Sequence, residues 1–184
     1  DGPAEGMSLD EILKDGLPPY KVALEIVSAL CEILDIAEQD EELHGDICAS
    51  RVFVDDVGAV SIEGFGVERA SSEAPEGCLK GPITDIYGLG RVAYSIFTPR
   101  DFPDVSFDDP DSHDDAVIDS VIQINLDGLP ENMVGDIQWF LCKFLSFDRE
   151  DRPNALDAWR TFIAFADGAE GDPIEYWSSD AMEG

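Results

Sequence analysis

Three groups of residues could do chemistry. The first lies between His44 and Gly66, opening as His44-Gly45-Asp46-Ile47-Cys48-Ala49-Ser50-Arg51 and closing as Glu63-Gly64-Phe65-Gly66. Asp46 is a carboxylate able to take a proton from a hydroxyl, whereas Arg51 is a permanent cation that repels a divalent metal. Gly64 brings no side chain to the site. The second group is a run of aspartates, Asp101, Asp104, Asp108, Asp109, Asp111, Asp114 and Asp115. Hard oxygens suit calcium, but the run lacks the glycine and terminal glutamate of a calcium loop. It reads as a solvated loop whose function, if it has one, is electrostatic docking of a basic partner. The third group is Cys31, Cys48, Cys78 and Cys142, scattered, without a C-x-x-C, and with two histidines in the chain to assist them. That spacing favours neither zinc nor a disulfide set, and Cys31 and Cys142 read as small buried hydrophobes.

Positioning the first group requires a hairpin. Val52-Phe53-Val54 and Ala59-Val60-Ser61-Ile62 are short β-rich runs around Asp55-Asp56-Val57-Gly58, which supplies the Asp and Gly of a tight turn. This loop, hairpin, loop order resembles the catalytic and metal-binding loops of eukaryotic-type Ser/Thr protein kinases. His44-Gly45-Asp46 stands where that family reads His-Arg-Asp, and Gly64-Phe65-Gly66 where it reads Asp-Phe-Gly. By this resemblance Asp46 is the catalytic base, Cys48 replaces a phosphate-neutralising lysine, and Arg51 and Gly64 replace the two Mg²⁺ ligands. Glu63 is one residue early, and a one-residue shift along an extended segment turns a side chain to the opposite face. Phosphoryl transfer needs a base, charge neutralisation and oxygen ligands for the metal. The resemblance therefore implies a non-enzyme in which His44, Asp46, Arg51 and Gly64 are vestigial, with no cofactor and no metal.

Further landmarks carry the same resemblance. Ala74-Pro75-Glu76 matches the family's Ala-Pro-Glu, and Arg152 in Asp151-Arg152-Pro153 matches the arginine that pairs with that glutamate. A bidentate pair inside the lobe would staple the fold. Thr84-Asp85-Ile86-Tyr87-Gly88-Leu89-Gly90 resembles the start of the lobe's central helix, whose Asp accepts hydrogen bonds from the catalytic loop. Asp85 reads as that anchor, not as a catalytic acid. Glu5 to Leu9 looks like the exit from the kinase hinge, so the glycine-rich loop and its lysine and glutamate partners are expected to be absent. Phe53, by resemblance the floor of the nucleotide pocket, would then be uncovered and available to a partner.

The remaining elements follow from periodicity. Ser8 with Glu11 forms a capping-box pattern for a short helix closed by Gly16. Val22, Ile26, Ala29, Leu30, Ile33 and Ala37 predict a long helix with one buried face. Residues 99–115 read as a polar connection and 116–125 as a helix. Ile137, Phe140, Leu141, Phe144 and Leu145 give an apolar stripe. A last helix capped by Asn154 is expected to bury Leu156, Phe162 and Ile163. Residues 167–184 read as an acidic, mobile tail, with Ile174, Tyr176 and Trp177 as the exception, either packing back on the lobe or marking a short binding motif.

Composition bounds the function. The chain has 184 residues, 44% hydrophobic, enough for one domain with a substantial core. No apolar run approaches the roughly 20 residues that span a bilayer, and no signal segment opens the chain, so it reads as soluble and cytoplasmic. With 41 acidic residues against 11 basic, the formal charge is −30, which disfavours nucleic acid and anionic membrane as partners. The acidity serves either attraction of a basic protein segment or simple solubility, including adaptation to high salt.

The expected fold is mainly α with a minor β-hairpin, a kinase-like C-terminal lobe over residues 1–166 without the N-terminal lobe, followed by the 167–184 tail. Its relatives look like bacterial Ser/Thr kinases. The kinase non-catalytic C-lobe domain family, which binds partner peptides, is a functional analogue. The expected function is a protein-binding scaffold with Phe53 and Asp101, Asp104, Asp108, Asp109 and Asp111 on its partner surface. The alternative is a lobe of a larger or trans-completed kinase with Asp46 as base.

Overall fold

A computed structural model describes residues 5–65, 74–76 and 81–183. The chain opens with strand β1 (Met7–Ser8) and helix α1 (Leu9–Lys14). The Glu11 carboxylate accepts both the Ser8 hydroxyl, at 2.7 Å, and the Ser8 N–H, at 3.3 Å, which fixes the start of α1. Helix α2 (Tyr20–Gln39) follows and is the element on which most others pack. It buries more than the single stripe its large residues predict: Ala23, Leu24, Val27, Ser28 and Cys31 are buried together with Val22, Ile26 and Leu30. Neighbours on several sides explain this, since α2 meets the central helix, the sheet and the last two helices.

The acidic end of α2 closes through backbone geometry instead of charge. Glu41 adopts φ +57°, and the Glu41 and Glu42 N–H groups donate to the carbonyls of Glu38 at 3.1 Å and Ala37 at 2.8 Å. This is a Schellman closure with a glutamate in the left-handed position that glycine usually takes.

A 3₁₀ turn at Ala49–Arg51 leads into β2 (Val52–Val54) and β3 (Val60–Ile62). The hairpin pairs Val52 with Ile62 and Val54 with Val60, and the Asp55 carboxylate accepts the N–H groups of Val57 and Ala59 across its turn. β1 adds a third antiparallel strand, Met7 against Val54, that the sequence reading did not contain. Two residues are too few to show a strand period.

Helix α3 (Pro82–Phe97) is buried along most of its length, including Tyr87, Leu89 and Ile96. Gly90 permits its close approach to α5 (Glu131–Phe144), because a Cβ there would lie 2.7 Å from the Phe144 Cβ. Helix α4 (Pro110–Val121) starts six residues before the expected 116. Asp109 caps it by accepting from Asp111 N–H at 3.1 Å and Ser112 N–H at 3.2 Å, with Pro110 in the first turn.

A 3₁₀ turn at Arg149–Asp151 precedes α6 (Ala155–Gly168), capped by Asn154 Oδ1 on Asp157 N–H at 2.8 Å. The buried face of α6 is Ala155, Ala158, Phe162 and Ala166, while Leu156 is half-buried and Ile163 is exposed. The small alanines let α6 lie close against α2, so size alone is a poor guide to its face.

The expected mobile tail is instead partly a helix, α7 (Ile174–Glu183), packed on α2. Ile174 N–H donates to the Glu25 carboxylate at 2.8 Å, Ser178 Oγ donates to the Asp56 carbonyl at 3.3 Å, and Trp177 packs against the core. Burial raises the pKa of Glu25 despite that N–H and the nearby Lys21. Among the described residues no helix is long and apolar enough to cross a membrane.

Candidate functional site

The loop at 44–51 is suspended from α3. Asp85, 5% exposed near the start of α3, accepts the His44 N–H on Oδ2 and the Gly45 N–H on Oδ1, both at 2.8 Å. Two charge-assisted bonds from one buried carboxylate fix two successive peptide groups. Gly45 is at φ +83°, a conformation that costs other residues strain.

His44 is 2% exposed and links this loop to the one after the hairpin. Its Nδ1 accepts the Asp46 N–H at 3.1 Å, so Nε2 carries the hydrogen donated to the Glu63 carbonyl at 2.6 Å. Its ring meets that of Phe65 edge-on at 5.0 Å. Gly64 sits between Glu63 and Phe65 at φ +96°. His44 thus ties the catalytic-type loop to the metal-type loop through a backbone carbonyl, and its ring nitrogens are both engaged.

Asp46 and Arg51 meet each other. The Asp46 Oδ2 accepts Arg51 Nε at 3.2 Å and lies 3.1 Å from Nη2, with the two side chains 36% and 38% exposed. The cation at the position that the resemblance gives to a metal ligand is therefore placed on the carboxylate at the position it gives to the base. Cys48, between them in sequence, contacts the Ser50 hydroxyl at 3.2 Å.

Glu76 and Arg152 form a second and different pair. Arg152 Nη1 and Nη2 donate to Oε1 and Oε2 of Glu76 at 2.7 and 2.9 Å, the bidentate geometry of a matched fork. The remaining donors of Arg152 reach the carbonyls of Ser146 at 2.9 Å, Ile83 at 3.1 Å and Phe147 at 3.3 Å, and its guanidinium lies 4.9 Å above the Tyr87 ring. Thr84 Oγ1 also donates to Glu76, at 2.9 Å. Burial acts to raise the Glu76 pKa, but the hydrogen bonds from Arg152, the backbone and Thr84 together with the Arg152 charge outweigh it, and the carboxyl titrates below its ordinary value. Gly66 and most of the segment through Lys80 lie outside the described residues, as does Cys78.

A network absent from the sequence reading joins α3 to α4. His113 is fully buried; its Nε2 lies 2.9 Å from Tyr87 Oη and its Nδ1 lies 2.9 Å from Asp114 Oδ1, which also accepts Phe147 N–H. The signal was present, because His113, Val117 and Val121 share one helical face. Burial lifts the Tyr87 hydroxyl to about 12.

The residues expected on a partner surface come from the sheet and from the stretch that leads into α4. Phe53 is half-buried on the central strand opposite Ser8 and Ser61, rather than fully uncovered. Asp101 and Asp104 are exposed in the connection before α4, the N–H groups of Asp108 and Asp109 donate to Ser106 Oγ, and Asp109 and Asp111 belong to the N-terminus of α4. There their charges complement the positive end of the helix dipole. Among the described residues no three His, Cys, Asp or Glu side chains are grouped to hold a metal ion.

A mainly helical fold with a small antiparallel sheet, a loop hung from the central helix by a buried aspartate, and a buried Glu–Arg staple together define a kinase-like C-terminal lobe. No family model matches the chain. Its homologues are bacterial Ser/Thr kinases. It is 28% identical over 115 residues to the serine/threonine-protein kinase PknB of Mycobacterium leprae, a match covering 51% of this chain and 18% of the relative. PrkC of Bacillus subtilis is 28% identical over 116 residues, covering 52% and 18%, and PknB of Mycolicibacterium smegmatis 26% over 116 residues, covering 51% and 19%. The match spans less than a fifth of the length of these relatives.

Proposed function

We propose that this kinase-like lobe does no phosphoryl transfer and acts in the cytoplasm as a binding module for a protein segment that is basic and partly apolar. The observation that carries the reading is the Asp46–Arg51 contact at 3.1 Å, together with a glycine at position 64. A guanidinium held there opposes a divalent cation at the place where metal would bridge protein and phosphates. Coupled with the formal charge of −30, the lobe offers a strong field for cationic segments and little for anionic ones.

The test is calorimetric titration with synthetic peptides of about 16 residues that combine Leu with Lys or Arg, against acidic peptides of equal length. The basic peptides bind and lose affinity as salt rises from about 50 to about 500 mM, because screening shortens the reach of the field. Equal affinity for acidic and basic peptides contradicts the reading.

The second reading is a lobe of a working kinase, whole or completed in trans, with Asp46 as base. It is favoured by the retained Asp46 and by relatives that are named as kinases and are far longer than the match.

A further inference from the structure

On the protein-binding reading, we propose that the groove between α4 and α5 is where the partner docks, and that its occupant is an amphipathic helix carrying large apolar residues along one ridge and Lys or Arg on the flanks. The groove encloses about 420 Å³. Ile118, Ile122 and Trp139 line it and are 44%, 59% and 53% exposed, with Val117 and Cys142 beneath. Single exposed apolar residues are ordinary, but three around one cavity form a patch that water solvates poorly.

Gly135 supplies an independent observation. It lies inside α5 and lines the groove, where a glycine is less favourable than alanine. It does not have a positive φ, and a Cβ built on it meets nothing within 4 Å. Neither backbone conformation nor internal packing asks for this glycine. Its effect is on the groove, which any side chain at 135 would narrow and which a bare Cα leaves open to a closely approaching partner.

Charge selects the occupant. Asp114 and Asp151 line the groove, the rest of α4 adds Asp111, Asp115 and Asp119 and no Lys or Arg, and Asp136 adjoins Gly135 on α5. Lys143 is the one cation among the lining residues, and it lies 5.7 Å over the Trp139 ring. A second copy of the chain would bring another −30 charges and be repelled. The walls are two helices whose interior backbone groups are already paired, so an extended peptide would find no strand edge to join. A helix brings its own backbone bonds and needs only the apolar contact and the acidic rim.

The experiment titrates a Leu/Lys amphipathic helical peptide into the whole chain, following Trp fluorescence and amide resonances. The expected result is perturbation of Ile118, Ile122, Gly135 and Trp139, and at least a ten-fold loss of affinity in Gly135→Leu, whose Cβ meets nothing within 4 Å and whose fold is checked by circular dichroism. Gly135→Ala, checked for retained fold by circular dichroism, keeps most of the affinity. Unchanged affinity in Gly135→Leu overturns the proposal, as does equal binding of a Lys/Ser peptide of the same charge, which would show field without groove. Loss of binding in Phe53→Asp with none in Gly135→Leu moves the site to the sheet, overturning the groove while the binding-module reading stands. Absence of any peptide binding overturns both. Self-association abolished by Gly135→Leu would make the occupant a second copy and overturn the stated one.

Discussion

Two acid–arginine pairs in this chain have the same chemistry and opposite settings. Glu76 and Arg152 meet with their side chains 8% and 0% exposed, and Arg152 is further held by backbone carbonyls and an aromatic face. Asp46 and Arg51 meet with 36% and 38% exposed. Water screens the second pair and not the first. One is therefore part of what holds the lobe together, while the other lies at the surface of the 44–51 loop.

Removing one partner of the buried pair has the largest expected effect. Arg152→Ala should cost about 3–5 kcal/mol, because Glu76 is left desolvated without its cation, read as a drop in urea midpoint. The pair also sets an acid limit. Since the folded Glu76 titrates below its ordinary value of 4.5, its stabilisation is complete above that value and is lost as pH falls through the lower folded one. The variant should lack that contribution near neutral pH, so its stability should fall less than the parent's as the solution is acidified.

Next is the anchor that connects the two regions. Asp85→Ala leaves the His44 and Gly45 N–H groups without their acceptor, at about 1–3 kcal/mol for each buried unsatisfied group. Hydrogen exchange at 44–46 should accelerate while α6 stays protected. Uniform acceleration would mean that the loop is not a local unit.

The smallest effect is expected at the exposed pair. Arg51→Ala should change stability by less than about 1 kcal/mol, as screened pairs do. A loss as large as that of Arg152→Ala would erase the distinction between the two regions.

What could be read in the sequence depended on whether a residue's role was local or shared. Glu76, Asp85 and Arg152 stood in recognisable short strings, and the structure puts Glu76 with Arg152 and Asp85 beneath the 44–46 loop. The hairpin was legible from β-rich runs around an Asp/Gly turn. The start of α4 was not, although Asp109-Pro110 is a cap followed by a first-turn proline, because the surrounding aspartates looked like one solvated loop. α7 was hidden by its acidic, Gly-rich approach, and its docking depends on Glu25, nearly 150 residues earlier. The buried face of α6 was misjudged because alanines, not Leu156 and Ile163, face α2. The α4–α5 groove needs two helices side by side, and only Gly135, an oddity within a helical stripe, could have pointed to it.

The central claim, that the loop at 44–66 no longer handles Mg·ATP, is tested most directly by isothermal titration of Mg·ATP into the whole chain, in parallel with Asp46→Asn. The account predicts no saturable heat in either protein. A saturable one-to-one isotherm for the parent chain, lost in Asp46→Asn, would contradict it.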